Sequence, residues 1–300
     1  VELRWIEAFI AVAEELHFGR AAERLRMAQS PLSQTIRKLE RHLGVDLFER
    51  NTRTVALTSA GHSFLPHARR ILEEMDLARR SAQTAGEHVY GRVHIGFSGA
   101  LNHKTLPPLT RALRQRYPDV DLTLTGGLLT QAALNQLTVG ALDLCFIGLP
   151  VSTAKVATRL IAVEPLGATL PLDHPLAQQE SIDLADLSDD SWVTMPARHG
   201  SSVREALFAA CTTAGFRPRV AQEIADPYTA LSLVAGGVGV SLMPVAVADI
   251  MPAGTVYVPL SRPSPTPTIA SGIAWNPENA SAALAAVLQT ADEVLPTPDR

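Results

Sequence analysis

Three hundred residues with 46% apolar and 19% charged content suffice for two or three domains with substantial cores, and they exclude a disordered chain. The net charge of −4 argues against a uniformly basic nucleic-acid binder, but it is unevenly spread: residues 20–70 carry ten Arg and Lys against four Asp and Glu, a net of +6 that leaves −10 elsewhere. No run of about 18 apolar residues occurs, and Val1-Glu2-Leu3-Arg4 begins no apolar leader core, which predicts no membrane partner and a cytoplasmic location.

Leu3, Ile6, Phe9, Ile10 and Ala13 follow helical spacing and predict a first helix able to cover two more. Phe18 to Leu43 then reads as two short amphipathic helices joined by a tight turn, the pattern of a helix-turn-helix. Ala21 and Ala22 permit close packing and Leu25 supplies an apolar contact. Arg24 to Met27 leaves room only for a turn before Ser30-Pro31, where proline suits the first helical turn. In the second helix, Leu32, Ile36, Leu39 and Leu43 fall within about 60° of one another, and Ser30, Gln34, Arg37 and Arg41 face the opposite way. An isolated helix of this kind ordinarily turns such a face to solvent. The preceding helix favours a face that meets DNA base edges.

Gly44 ends this helix, and Glu49 to Leu57 alternates as a two-stranded ribbon, a wing with Arg50 and Arg53 near its tip. Thr58 or Ser59 can cap the next helix, whose Leu65, Ala68, Leu72, Met75 and Ala82 recur at heptad spacing interrupted by Arg79. Such a seam predicts either a partner helix or packing on its own domain, with Pro66 bending the early part.

From Gly91 the texture changes to short apolar strands alternating with helical stretches, which predicts an α/β unit with a parallel sheet. Strands are expected at Val93–Phe97, Val120–Leu124 and Leu142–Ile147, with helices at Leu106–Arg116 and Thr130–Thr138. Pro165–Leu170, Trp192–Thr194 and Val240–Met243 read as strands of a second lobe. A proline-marked loop at Pro263, Pro265 and Pro267 precedes a strand, Ile269–Trp275, and a last helix, Ala282–Leu295. Cys145 and Cys211 are too few and too distant for a zinc site or disulfide framework, so free buried thiols are expected, with a redox pair as the alternative, and no metal.

The chain resembles LysR-type transcriptional regulators over essentially its whole length. The most specific stretches are Phe9 to Leu25, Gln29-Ser-Pro-Leu-Ser-Gln34, Leu39-Glu40, Leu43-Gly44, Leu47-Phe-Glu-Arg50 and Leu57-Thr-Ser-Ala-Gly61. Asp143, Asp173-His-Pro-Leu176, Ala214-Gly-Phe-Arg-Pro218 and Leu233 to Pro244 extend the likeness. The resemblance implies an α plus α/β architecture: a winged helix-turn-helix over 1–58, a linker and dimerisation helix over 59–87, and a two-lobed effector domain over 88–300, folded like periplasmic binding proteins. Lobe I is expected over about 88–161 and 268–300, and lobe II over about 162–267. It further implies a metabolite-controlled regulator, not an enzyme, that activates or represses promoters from the bacterial nucleoid. Double-stranded operator DNA, a small-molecule inducer and copies of the same chain in a homodimer or homotetramer are its implied partners, with RNA polymerase as a further candidate.

Carried over residue by residue, the DNA-contacting positions fall on Gln29, Ser30, Pro31, Ser33 and Gln34, with Arg53 in the wing. Gln suits adenine in the major groove, Ser hydroxyls reach phosphate or base edges, and arginine suits a narrow A·T minor groove. Arg37, Lys38, Arg41 and Arg50 are expected at phosphates, a solvated face being the alternative. The implied effector cleft takes Ser98, Gly99, Ala100, Thr130, Ser201, Ser202, Val203, Pro227 and Tyr228. Helix starts at Thr130 and Ser201-Ser202 could hold a carboxylate, although capping explains them equally well. Leu128-Leu129 and Tyr228 favour an organic anion with an apolar or aromatic body, bound with no other cofactor.

Three other readings stand beside this one. Gly96-Phe-Ser-Gly-Ala100 superficially matches a hydrolase nucleophile elbow, but its last residue is not Gly and Pro107-Pro108 are expected to delay the helix behind it. An exported solute-binding protein would lack the basic amino-terminal module. A ligand-independent architectural DNA-binding protein or repressor would not need residues 91–300.

Overall fold

The computed structural model describes residues 1–50, 55–83, 89–99, 102–151, 155–197, 200–263 and 265–298, and divides into two compact units, Val1–Tyr90 and Gly91–Arg300. In the first unit, α1 (Leu3–Glu15), α2 (Phe18–Arg24) and α3 (Gln29–Leu43) precede an antiparallel ribbon of β1 (Phe48–Arg50) and β2 (Val55–Leu57), followed by α4 (Ser59–Gln83). Phe9 of α1 is fully buried, and its ring lies 5.4 Å from that of Phe48 and 5.1 Å from that of Phe64, so one side chain ties the first helix to the ribbon and to α4.

Local chemistry explains the breaks between these helices. α1 ends at Leu16 in the left-handed region, and His17 then caps α2, its Nδ1 accepting the N–H groups of Gly19 and Arg20 at 3.1 and 3.2 Å. The turn into α3 passes through Arg26 at φ 53°, a conformation that costs a residue with a side chain about 1–2 kcal/mol. Leu32, Ile36 and Leu39 are buried along the expected apolar face of α3, and Leu43 is half-buried. Thr58 rather than Ser59 caps α4, its Oγ1 accepting the Gly61 N–H at 3.0 Å.

The heptad seam of α4 is divided. Ala68 is buried, and Leu65 and Leu72 pack partly buried against the core of their own unit, whereas Met75 is 52% exposed. Spacing alone does not separate the positions that pack on their own unit from those left exposed, because both recur on one helix face.

The second unit runs β3 (Gly91–Gly96), α5 (Asn102–Arg116), β4 (Val120–Thr125), α6 (Thr130–Thr138), β5 (Leu144–Leu149), β6 (Ala157–Pro171), β7 (Ile182–Asp183) and β8 (Ser191–Thr194). It continues through α7 (Ser202–Thr213), β9 (Arg219–Glu223), α8 (Pro227–Ala235), β10 (Ser241–Pro244), a 3-10 helix (Val245–Ile250), β11 (Thr255–Arg262), β12 (Thr268–Trp275) and α9 (Ala282–Val294). The main sheet has the order β4-β3-β5-β12-β6-β11-β7, with β10 also paired to β6.

The expected parallel sheet is only partly present. β3 runs parallel to β4 and β5, but β12 is antiparallel to both β5 and β6, and β10 and β11 are antiparallel to β6. Helical crossovers between β3, β4 and β5 make the first part parallel; β12 returns from the second lobe and enters in the opposite sense. β6 is also longer than the Pro165–Leu170 run. It pairs with β12 from Ala157 to Pro165, and then with β10 and β11 from Leu166 onward, which makes it the strand shared by the two lobes.

α5 overturns a second expectation. It begins at Asn102 and continues through Pro107 and Pro108, so the prolines do not delay the helix behind Ser98, and that ground against a nucleophile elbow falls. The prolines remove two helical N–H donors, while Leu109 and Leu113 on the inner face are fully buried and hold the helix in place.

Candidate functional site

In the first unit, α3 presents Gln29, Ser30, Pro31, Gln34, Arg37 and Lys38 as exposed residues, with Ser33 half-buried. Arg41 joins that face, its Nε donating to the Arg37 carbonyl at 3.3 Å. Arg50 stands in β1 opposite Val55, and Arg53 lies outside the described residues. Not all of the local positive charge is available to a partner. Arg24 and Arg69 both hold Glu14, at 2.7 and 2.8 Å, and Arg20 holds Glu15 at 3.3 Å. The Arg24 guanidinium keeps the Glu14 carboxyl below the usual carboxylate range, opposed by burial and aided by Arg69.

Glu40 is the residue of this unit whose role the sequence reading missed. It is 7% exposed, and its Oε1 accepts the N–H groups of Leu47 and Phe48 at 3.1 and 3.3 Å. The last turn of the exposed helix is thereby tied to the root of the ribbon, which fixes one element against the other. Its position between Leu39 and Arg41 gave a signal, since it falls beside the apolar face rather than opposite it.

The second unit contains a cleft between its lobes with about 770 Å³ of free space, its open mouth included. Ser98, Gly99, Thr130, Ser201, Ser202, Val203 and Pro227, named from the sequence, line it. Tyr228 does not: it follows Pro227 on the first turn of α8, 56% exposed, because successive helical positions point about 100° apart. Ala100 lies outside the described residues. Leu128, Leu129, Phe146, Ile147, Met195, Met243 and Ile269 make most of the lining apolar.

The starts of α5, α6, α7 and α8 all reach this cleft through Asn102, Thr130, Ser202 and Pro227. They differ in how their N–H groups are satisfied. Asp226 caps α8, its Oδ2 accepting the Thr229 N–H at 2.7 Å, so a negative charge already occupies that terminus. Ser201 caps α7, its Oγ accepting from Arg204 at 3.3 Å. No side chain caps α6, whose N-cap is Leu129. Thr130 is therefore not a cap. Its Oγ1 accepts the Gly148 N–H at 3.1 Å, which leaves the hydroxyl proton for another partner.

Gly148 brings the two lobes to one point. A Cβ there would collide with Ser202 Oγ, lie 2.7 Å from Ser202 Cβ and approach Thr130 Oγ1 to 3.5 Å. Among the described lining residues there is no Lys or Arg. Arg204, close behind Ser202, is occupied by the Met195 carbonyl at 2.6 Å and by Glu223 at 2.8 Å.

Glu164 is the lining residue that the sequence reading overlooked. It is 7% exposed; its Oε1 accepts the Ala246 N–H at 3.2 Å, while Oε2 is buried with no partner. Burial raises its pKa, with smaller opposing effects from Lys104, the Ala246 hydrogen bond and His103. A single acidic residue inside the apolar run Leu160-Ile-Ala-Val-Glu-Pro-Leu166 was the available signal. Cys145 and Cys211 are both free and buried, and burial pushes each thiol up to about 12. Among the described residues, no group of His, Cys, Asp and Glu could hold a metal, and no helix is long and apolar enough to cross a membrane.

A helix-turn-helix unit followed by a two-lobed, cleft-bearing α/β unit defines a ligand-responsive DNA-binding regulator. Residues 3–62 match the bacterial regulatory helix-turn-helix family of the lysR type, and residues 86–296 match the LysR substrate binding domain. The chain belongs to the LysR family of transcriptional regulators. It is 46% identical to the HTH-type transcriptional regulator ShiR of Corynebacterium glutamicum (strain R) over 98% of this chain and 99% of that protein. It is 36% identical to the regulator AlsR of Bacillus subtilis (strain 168), over 81% of this chain and 80% of that one. Among solved structures, full-length CbnR complexed with its target DNA superposes with a TM-score of 0.79 at 26% identity, over 98% of this chain and all of CbnR.

Proposed function

We propose that this regulator binds operator DNA through the exposed face of α3 and the wing, and that a small organic carboxylate in the cleft of the second unit controls promoter activity. The observation that carries the ligand reading is the uncapped start of α6, with the Thr130 hydroxyl beside it, facing Ser202 over Gly148. Unsatisfied N–H groups and the helix dipole favour an anion there without a cationic side chain. The apolar lining supplies surface for the remainder of the ligand.

For the DNA end, Gln29, Ser30, Pro31, Ser33 and Gln34 are assigned to base edges and nearby phosphates, and Arg37, Lys38, Arg50 and Arg53 to the backbone and minor groove. The complex of CbnR with DNA supports this reading. Functionally, 1–58 is the reading head, 59–87 the linker and 88–300 the effector domain. Ile71 and Met75, 42% and 52% exposed on α4, support pairing through the linker, and a homotetramer is the assembly proposed. We assign no catalytic role to Ser98, and place the protein in the cytoplasm at the nucleoid, where RNA polymerase is within reach.

Selection of the full chain on random DNA, followed by sequencing, tests the DNA end: paired half-sites about one helical turn or a multiple apart are expected. Calorimetry with benzoate, cyclohexanecarboxylate and butyrate against their amides tests the cleft. Heat with the amides alone, or no enriched DNA motif, contradicts the corresponding half.

A further inference from the structure

The buried carboxyl of Glu164 has one oxygen accounted for and one not. Oε1 is committed to the Ala246 N–H at the start of the 3-10 helix, whereas Oε2 is buried and unpartnered, on a residue that lines the cleft. A buried acceptor left without a donor is unfavourable, and a ligand donor would relieve it. Glu164 also stands where β6 passes from one lobe to the other, next to the Pro165–Leu166 changeover, so a contact there bridges the hinge strand and the cleft contents.

The register of the sheet gives the span. Gly148 pairs with Ser271 on β12, and Glu164 pairs with Ile269, two residues along the same strand. Two strand spacings across the sheet, with an offset of two residues, put these backbone positions about 12 Å apart. Thr130, whose Oγ1 accepts the Gly148 N–H, and Glu164 both line the cleft, a span on the scale of a single ring or a short chain.

We propose that the effector is a hydroxy acid: its carboxylate lies at the start of α6 against Thr130 and Ser202, and a hydroxyl at its other end donates to Glu164 Oε2. This rests on the anion reading of the cleft and adds to it a second, opposite polar contact. A hydroxyl suits the site better than an ammonium group. Lys104 and His103 already act on the carboxyl, and in this apolar lining a buried ion pair must recover the desolvation of both charges.

The test is calorimetry of the full chain with benzoate and cyclohexanecarboxylate, each compared with its 3- and 4-hydroxy and 4-aminomethyl derivatives. At least one hydroxy acid is expected to bind roughly tenfold or more tighter than its parent, the change one recovered hydrogen bond produces. Glu164→Leu is expected to erase that preference, so that the hydroxy acids bind no tighter than their parents. Glu164→Gln retains an amide oxygen for Ala246 and serves if the leucine variant does not fold; with it the preference is expected to fall but not vanish. Parent acids that bind as tightly as the hydroxy acids, a preference untouched by both variants, or a preference for the amines overturns the assignment of Glu164 and leaves the anion reading standing. Failure of every carboxylate to bind overturns both.

Discussion

Gly148 and Ser202 meet so closely that no side chain fits at position 148: a Cβ would strike the Ser202 hydroxyl and lie 2.7 Å from its Cβ. Gly148 belongs to β5, whose Cys145 and Ile147 are packed in the core of one lobe, and Ser202 starts α7, whose Leu207 and Cys211 are packed in the core of the other. The contact therefore sets how far the lobes approach. Gly148→Ala is expected to destabilise the second unit by about 1–3 kcal/mol and to weaken carboxylate binding in calorimetry. Ser202→Gly removes the colliding atoms, so the double variant is expected to recover most of the lost stability in chemical denaturation. Additive losses in the pair would show that the glycine is required for some other reason.

Glu40 makes an equally specific demand on the first unit. Removing its carboxyl leaves the Leu47 and Phe48 N–H groups without their acceptor at the root of the ribbon. Glu40→Ala is expected to lower stability by about 1–3 kcal/mol, and Glu40→Gln, which keeps an oxygen, by less. Urea titration of the full chain, followed by tryptophan fluorescence to which Trp5 in α1 contributes beside Trp192 and Trp275, measures both variants. Equal losses in the two would assign the effect to charge rather than to the backbone contacts.

What was legible beforehand follows from the range over which each residue acts. The helices of the first unit and the apolar face of α3 depend on neighbours three or four positions away, and Leu32, Ile36 and Leu39 proclaim it in one turn-to-turn pattern. β6 did not declare its length, because Thr158 to Val163 make an edge-to-centre strand only once β12 arrives from more than a hundred residues later. The same distance concealed Glu164, whose partner Ala246 and neighbour Ile269 are remote in sequence. Tyr228 failed for the opposite reason. Its sequence position beside the lining residue Pro227 was right, but a helix turns adjacent residues away from each other.

Acid should weaken the first unit in part through Glu14. Arg24 and Arg69, at 2.7 and 2.8 Å, hold its carboxyl below the ordinary range, linking α1 to α2 and α4. A carboxyl with a depressed folded pKa contributes stability that is present above its unfolded pKa and is lost as pH falls through the folded one. The melting temperature of this unit is expected to drop between about pH 5 and pH 3, and Glu14→Gln is expected to flatten part of that slope while lowering stability at neutral pH. Parallel pH profiles for the two proteins would remove Glu14 from the account.

The two cysteines are expected to be inert in the folded chain. Each thiol is buried and held at about 12, so almost none is present as the reactive thiolate at neutral pH. Titration with a chromogenic disulfide reagent should register both only after denaturant is added. Rapid reaction of either in native buffer, or loss of a thiol on mild oxidation without unfolding, would revive the redox pair considered from the sequence.

Gln34 offers the sharpest separation between reading and holding DNA. It is exposed on α3, one turn after the Ser30-Pro31 start and one before Arg37 and Lys38, which places an amide between a short polar pair and two cations. An amide can donate and accept at once, as an adenine edge in the major groove requires, whereas the cations are satisfied by any phosphate. Gln34→Ala is therefore expected to cost about 1–3 kcal/mol on the selected operator while leaving binding to random DNA almost unchanged. Arg37→Ala is expected to weaken both to a similar extent and to reduce the salt slope by about one. Competition gel shifts across a salt series measure both quantities together. If Gln34→Ala weakens random and selected DNA alike, the amide is a backbone contact, and the reading of bases must lie with Ser30, Ser33 or the wing.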